Sequence, residues 1–147
     1  MRERRELTPA EARFVSDARV GHVATARAGQ WPHVVPVCHV LDGDRILIAS
    51  AYDRKIADVR ENASISYCVD AYSEDWDNGL AQVIVFGEAY LVESGPEFER
   101  DRNLLYEKFP QYERVAPIEA GTTAIIEFRI DLVDSDPIAR VIEHRSD

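Results

Sequence analysis

Three short β-patterned runs follow one another between Gly21 and Ser50, separated by turns that suit only antiparallel neighbours. Gly21-His-Val-Ala-Thr-Ala-Arg27 turns at Ala28-Gly29-Gln30 into Pro32-His-Val-Val-Pro-Val-Cys-His-Val40. Leu41-Asp42-Gly43-Asp44 then returns the chain as Arg45-Ile-Leu-Ile-Ala-Ser50. Hairpin loops take about two to five residues, whereas parallel strands need a crossover of roughly a dozen or more. The start of the chain therefore reads as a meander. Pro36 interrupts the second run and has no N–H to give to a ladder. That strand is expected at an edge, at a bulge, or beside something that is not a strand.

The β pattern resumes at Ser64–Asp70, Ala81–Val92 and Thr122–Val133, with Pro137–Glu143 as a candidate last strand. Gly87 is a candidate bend of the kind barrels use at corners. Three helices are expected between these runs. Thr8-Pro9-Ala10-Glu11 combines a capping Thr, a Pro at the first helical position and a Glu that completes a capping box. Ala12, Val15, Phe14 and Ala18 would form its apolar side, and Glu11, Arg13, Ser16 and Asp17 its wet one. Asp53–Asn62 follows with Asp53 as N-cap and Ile56 and Val59 facing inward. Gly95-Pro96-Glu97 opens the third, with Phe98, Leu104, Leu105 and Phe109 as its stripe and Pro110 as its stop. Six or seven antiparallel strands with three short helices predict a mainly β fold. A small closed or split β-barrel fits best, because closure removes the edges that so many strands would expose. The 147 residues, 46% of them hydrophobic, suffice for one domain over 1–147.

Several classes are excluded on composition. No run approaches the ~18 apolar residues of a membrane-spanning helix, and Met1-Arg-Glu-Arg-Arg-Glu leads into no apolar signal core. A cytoplasmic location is expected, with no membrane partner. Cys38 and Cys68 are far apart, which rules out a disulfide framework or a cysteine-rich zinc module and predicts reduced, buried thiols. With 17 basic against 27 acidic residues the net charge is −10, so nucleic acid is not an expected partner. Of the 17, only Lys55 and Lys108 are lysines.

One of those lysines falls in the sharpest local feature, Ser50-Ala-Tyr-Asp-Arg54-Lys55, where a strand ends and a helix begins. Free N–H groups and the dipole at such a junction favour an anion, and Arg and Lys add charge-assisted hydrogen bonds. The competing reading is a solvated first turn whose Arg54 and Lys55 pair with Asp53 and Asp58. Arg60 lies too far along the helix to join. His22, His33, His39 and His144 show no ligand spacing, so no metal site is expected from them. Tyr72 and Trp76 are large apolar groups in an acidic, turn-rich loop and suit either a planar cofactor or a subunit contact. Gln82 opens the long strand and suits a heterocycle edge or an exposed strand end. No catalytic acid, base or nucleophile is identified.

In order and spacing these segments resemble the pyridoxamine 5′-phosphate oxidase-like superfamily, the FMN-binding split barrels that also include deazaflavin-dependent reductases. The resemblance spans residues 8–133 and rests on three segments: Val23-Ala-Thr-Ala with Gly29 and Pro32, Ile46–Ser50 with Arg54-Lys55 and Arg60-Glu-Asn62, and Gln82-Val-Ile-Val-Phe-Gly87. It implies that Arg54 and Lys55, helped by Ser50, clamp a cofactor phosphate. Val35, Pro36 and Val37 would neighbour the flavin ring, Gln82 would reach it, often from the other subunit of a homodimer, and Trp76 would lie near it. The Arg and Lys of the superfamily's Arg-x-Val-Leu-Leu-Lys run are replaced by Val35 and Val40, and no vitamin-gripping segment is recognisable after Leu132. The chain therefore looks more like the small reductases that use FMN or 8-hydroxy-5-deazaflavin (coenzyme F-420) than like an oxidase of pyridoxamine phosphate. The implied activity is hydride transfer to or from a small organic substrate. The alternative is a non-catalytic carrier of flavin, deazaflavin or haem on the same barrel.

Overall fold

The computed structural model describes residues 3–74 and 80–135. In chain order these form β1 (Glu3–Arg4), α1 (Pro9–Asp17), β2 (Val20–Thr25), β3 (His33–Cys38), β4 (Val40–Asp42), β5 (Arg45–Ala51) and α2 (Arg54–Glu61). The remainder are β6 (Ser64–Tyr72), β7 (Leu80–Val92), α3 (Gly95–Lys108), α4 (Gln111–Val115) and β8 (Thr123–Asp134). Every pairing is antiparallel, in the order β3-β2-β6-β7-β8-β5-β4, with β1 added on β8. The two ends of that path, β3 and β4, are consecutive in the chain and separated only by His39. A sheet whose ends meet in this way must curl, and the result is a split antiparallel barrel, mainly β with short helices.

Alternation along each strand divides the sheet into two faces. Val23, Ile46, Ile48, Ile65, Val69, Val83, Val85, Ile126, Phe128 and Val133 point inward as one buried core. Val15 of α1 and Ile56 and Val59 of α2 join it. α3 lies on the outside of the sheet, where Phe98, Leu105 and Phe109 meet Leu47, Val92 and Ile125 in a second cluster. Each such side chain contributes on the order of 2 kcal/mol on leaving water.

Gly87 is the bend that the sequence suggests. The β7–β8 register slips between Phe86 and Gly87, and a Cβ on Gly87 would stand 1.8 Å from the backbone oxygen of Arg129. Pro36 lies on β3, which has β2 as its sole paired neighbour among the described residues. Elsewhere the structure departs from expectation. The second run breaks at His39, which turns its side chain into the interior. Glu11, assigned to the wet side of α1, is buried, because it closes the capping box with Thr8 and pairs with Arg4. Both cysteines are free thiols but half-buried rather than buried. α4 and β1 had no sequence signal of their own. Trp76, His144 and the candidate strand at 137–143 lie outside the described residues. No helix among the described residues is long and apolar enough to cross a membrane.

Candidate functional site

The junction of β5 and α2 draws Ser50, Arg54 and Lys55 together around Asp53. Asp53 caps the helix by accepting from the Lys55 backbone N–H at 3.1 Å, and the same carboxylate pairs with the Lys55 ammonium. Ser50 Oγ donates to the Ala51 carbonyl at 2.7 Å and stands 3.3 Å from Asp53 Oδ1. Lys55 is buried rather than solvated. Hydrogen bonds from Lys55 and Ser50 hold the Asp53 carboxyl below its ordinary range, against the upward push of burial.

One turn further along, Asp58 is wholly buried, at 0% exposure, and gathers groups from three elements. Thr25 Oγ1, at the end of β2, donates to Asp58 Oδ2 at 2.7 Å. Arg54 Nε lies 3.8 Å from that oxygen, and the Arg54 guanidinium also donates to the carbonyl of Trp31. Arg27 Nε stands 2.9 Å from Asp58 Oδ1 without the alignment of a hydrogen bond. Arg27 Nε, Arg54 Nε, Asp58 Oδ1 and the nearby His33 Nδ1 are thus buried polar atoms with no well-directed partner. His33 belongs here because it pairs in register with Thr25, and cross-strand partners share a face. Unsatisfied buried polar atoms are rare and need a reason.

The pairings Lys55–Asp53 and Arg54–Asp58 that a plain surface reading expects are both present. What that reading lacks is Arg27, which arrives from the β2–β3 turn and gives three cations against two carboxylates. The sequence could not place it, since Thr25 and Arg27 meet Asp58 across about 30 residues of chain. Arg60 stays out of the cluster and pairs with Glu93 at 2.6 Å. Trp31, beside Arg54, is 83% exposed.

A groove of about 460 Å³ adjoins this cluster on the outward sheet face. Thr25, Ala26 and Pro32 line one end, next to Arg27 and Trp31, and Ala24, Ser66, Phe86 and Leu132 continue it across the strands. Register puts Val34, Ala24, Ser66 and Phe86 in one outward row and Pro36, His22, Cys68 and Ile84 in the next. This face is apolar and open, with Val34 64% exposed.

The other predicted residues divide by face. Pro36 points outward over the sheet, whereas Val35 and Val37 point inward and pack on the core. Gln82 points outward opposite Asp70. Glu88, six residues further along β7, pairs with Ser64 just after α2. At about 3.3 Å per residue, Gln82 therefore lies roughly 20 Å along the strand from that end, and one chain does not bring it to Arg54 and Lys55.

The histidines separate as well. His39 is fully buried with both ring nitrogens engaged. The Val15 carbonyl can only accept, so Nε2–H donates to it at 2.7 Å and Nδ1 accepts from the Tyr67 hydroxyl. Burial brings its pKa down to about 4. The ring is neutral and closed to any ligand. Lys108 completes that network, its ammonium donating to the carbonyls of Ser16, Ala18 and His39.

A family model described as pyridoxamine 5′-phosphate oxidase matches residues 7–135. The chain belongs to that family. Solved structures of the same fold include a FAD-binding protein of Mesorhizobium loti, 23% identical with a TM-score of 0.71 over 90% of this chain and 96% of its own. The haem storage protein of Vibrio cholerae is 13% identical at a TM-score of 0.71, covering 86% and 93%. A flavocytochrome of Azotobacter vinelandii is 21% identical at 0.64, covering 90% and 68%. No curated protein matches the chain. Solved structures of this fold thus carry names that span flavin and haem, so the site has to carry the functional reading.

Proposed function

We propose that this family member is a flavin- or deazaflavin-dependent oxidoreductase that moves a hydride to or from a small organic substrate. The observation that carries the reading is the cluster of Arg27, Arg54 and Lys55, with the Nε atoms of Arg27 and Arg54 lacking a well-directed partner, next to a groove on an apolar sheet face that Thr25 lines while it donates to Asp58. A phosphorylated, flat, mostly apolar molecule fits both halves. Its phosphate would take the free donors of Arg27, Arg54 and Lys55, with Ser50 turning its hydroxyl from the Ala51 carbonyl. Its ring would lie over Ala24, Phe86 and the outward side of β3 at Pro36.

A bound flavin or deazaflavin supplies the hydride chemistry at its ring. The chain's own residues bind, orient and exclude water: Arg and Lys fix the tail, and the outward rows shield one face of the ring. Gln82 is too far along β7 to serve the same copy's cation cluster. We infer a homodimer in which the partner copy supplies Gln82 and closes the open face. The FAD-binding and flavocytochrome structures of the same fold agree with a flavin, and the missing Arg and Lys at Val35 and Val40 favour a small reductase that uses FMN or coenzyme F-420 over an oxidase of pyridoxamine phosphate. Of the haem readings, one through His39 is incompatible with its two hydrogen bonds.

Absorbance and fluorescence titration of the purified protein with FMN and, separately, with coenzyme F-420 tests this. Micromolar binding of one, followed by its faster reduction or reoxidation with a donor or acceptor, is the expected result. Binding without turnover would make the chain a carrier, and binding of neither by a folded protein would end the flavin reading.

A further inference from the structure

Away from that groove, a second charged cluster of the opposite sign sits between α3 and β8. Glu97 and Asp101 are one turn apart on α3 and face Glu127, which points outward from β8 under the helix. One carboxylate oxygen from each lies within 4.8 Å of the other two. Asp101 is 0% and Glu127 2% exposed, whereas Glu97 is exposed and leaves a way in from solvent.

The two buried carboxylates are each half satisfied. Arg45 pairs with Glu127 Oε1 and with Asp42, and Arg100 donates to Asp101 Oδ1 at 3.1 Å. The other oxygens, Asp101 Oδ2 and Glu127 Oε2, are buried with no donor from outside the three carboxyls, Arg100 reaching no nearer than 4.0 Å to the latter. Two orphaned anionic oxygens under one helix are costly unless something positive takes them. The arginines do not supply it, because Glu97, Asp101, Glu127 and Asp42 together outnumber Arg45 and Arg100.

We propose that Glu97, Asp101 and Glu127 form a binding site for a hard divalent cation, Ca²⁺ by preference, that fastens α3 to β8. The donor set is all carboxylate oxygen, with no nitrogen or sulfur, which selects Ca²⁺, Mg²⁺ or Mn²⁺ over Zn²⁺ or Cu²⁺. Coordination geometry selects among them. Ca²⁺ accepts an irregular shell of carboxylate oxygens completed by water, whereas Mg²⁺ demands a near-octahedral one with bonds of about 2.1 Å, which three carboxylates fixed between a helix and a strand are not arranged to give. Arg45 and Arg100 keep the outer oxygens in place and orient the inner ones, as partners behind a metal's own ligands do. Protons compete for the same oxygens, so the site binds a cation only with its carboxyls ionised.

The test is calorimetry and thermal melting of chelator-stripped protein with CaCl₂ and, separately, MgCl₂, at pH 7.5. A site of this kind gives a one-to-one Ca²⁺ isotherm, at least tenfold weaker for Mg²⁺. Saturating Ca²⁺ should raise the melting temperature by about 5 °C. E97Q changes an exposed residue and should fold normally. Its Ca²⁺ affinity should fall at least tenfold, and D101N should abolish the isotherm. No Ca²⁺-dependent heat or melting shift in the unaltered protein, or the same response in E97Q, would overturn the proposal and leave a carboxylate pair sharing a proton. Because no flavin enters the measurement, its failure is separate from that of the oxidoreductase reading.

Discussion

Around His39 every polar atom has its partner, and around Asp58 several do not. The His39 ring uses both nitrogens, its carbonyl receives the Lys108 ammonium, and that ammonium spends its three protons on three carbonyls. Asp58 is equally buried, yet two arginines approach it without aligning and His33 Nδ1 stands nearby unpartnered. Both centres are polar and both sit at the margin of the same core. A saturated network has nothing left to offer a ligand and can only hold the fold, whereas an unsaturated one keeps donors in reserve at a stability cost. The groove beside Thr25 lies next to that reserve.

The contrast predicts opposite phenotypes. Replacing Arg54 and Lys55 together by Ala removes two charge-assisted contacts and should weaken cofactor binding by about 4 kcal/mol, with stability changed by much less. Fluorescence titration and urea denaturation of one preparation read both quantities. If affinity is retained and stability collapses, the Asp58 centre is as structural as the His39 one.

Acid denaturation sharpens the comparison from the other side. His39 has a folded pKa of about 4 against an ordinary 6.5. The unfolded chain takes up a proton that the native one refuses, so this stability is complete above 6.5 and is lost as pH falls towards 4. Over 2.5 units the loss is about 3 kcal/mol. Asp101 runs in the opposite sense. Its carboxyl, raised to about 6 from 3.8, costs stability as pH rises between those values. The two slopes oppose one another between about pH 4 and 6. In the presence of chelator D101N should therefore fall more steeply in urea stability from pH 6 to 4 than the unaltered protein. Parallel profiles would mean that the native fold does not hold the Asp101 carboxyl protonated above its ordinary range.

How far the chain could be read in advance follows the range of its interactions. Thr8 and Glu11, three residues apart, announced their capping box, and the Asp42-Gly43 turn announced the β4–β5 hairpin. Gly87 was visible as a bend although its reason, the oxygen of Arg129, lies some 40 residues away. Ser50, Arg54 and Lys55 were legible because they are neighbours in the chain. Asp58 was legible only as a local ion-pair partner, because its other groups come from the β2–β3 turn. His39 looked like any strand residue until Val15 and Tyr67 closed on it, and Glu127 carried no signal within its strand because α3, which covers it, is distant in sequence. Alternation gives the face of a residue but not what lands on that face.

Lys108→Met ranks next in expected size. It keeps the length of the side chain but strips the Ser16, Ala18 and His39 carbonyls of a charged donor, for a loss of about 2 kcal/mol in urea stability. Cofactor affinity of the folded fraction should be unchanged, since nothing in that network touches the groove. A parallel fall in affinity would show that the two centres are coupled through β2 and β3.

The smallest effect belongs to Arg60, and it sets the outer limit of the cation cluster. Arg60 stands on the same helix as Arg54 and carries the same charge, but its guanidinium pairs with the exposed Glu93, which also accepts from Tyr52 at 2.9 Å. Exposed pairs of this kind contribute roughly 0.5 kcal/mol or less. Arg60→Ala should therefore leave cofactor affinity within about twofold, while the same change at Arg54 lowers it tenfold or more. If Arg60→Ala matches Arg54→Ala, total charge on α2 governs binding, and the orphaned donors around Asp58 lose their special standing. If the two differ as expected, at equal charge and on one helix, what matters is where an arginine's hydrogen bonds are left open.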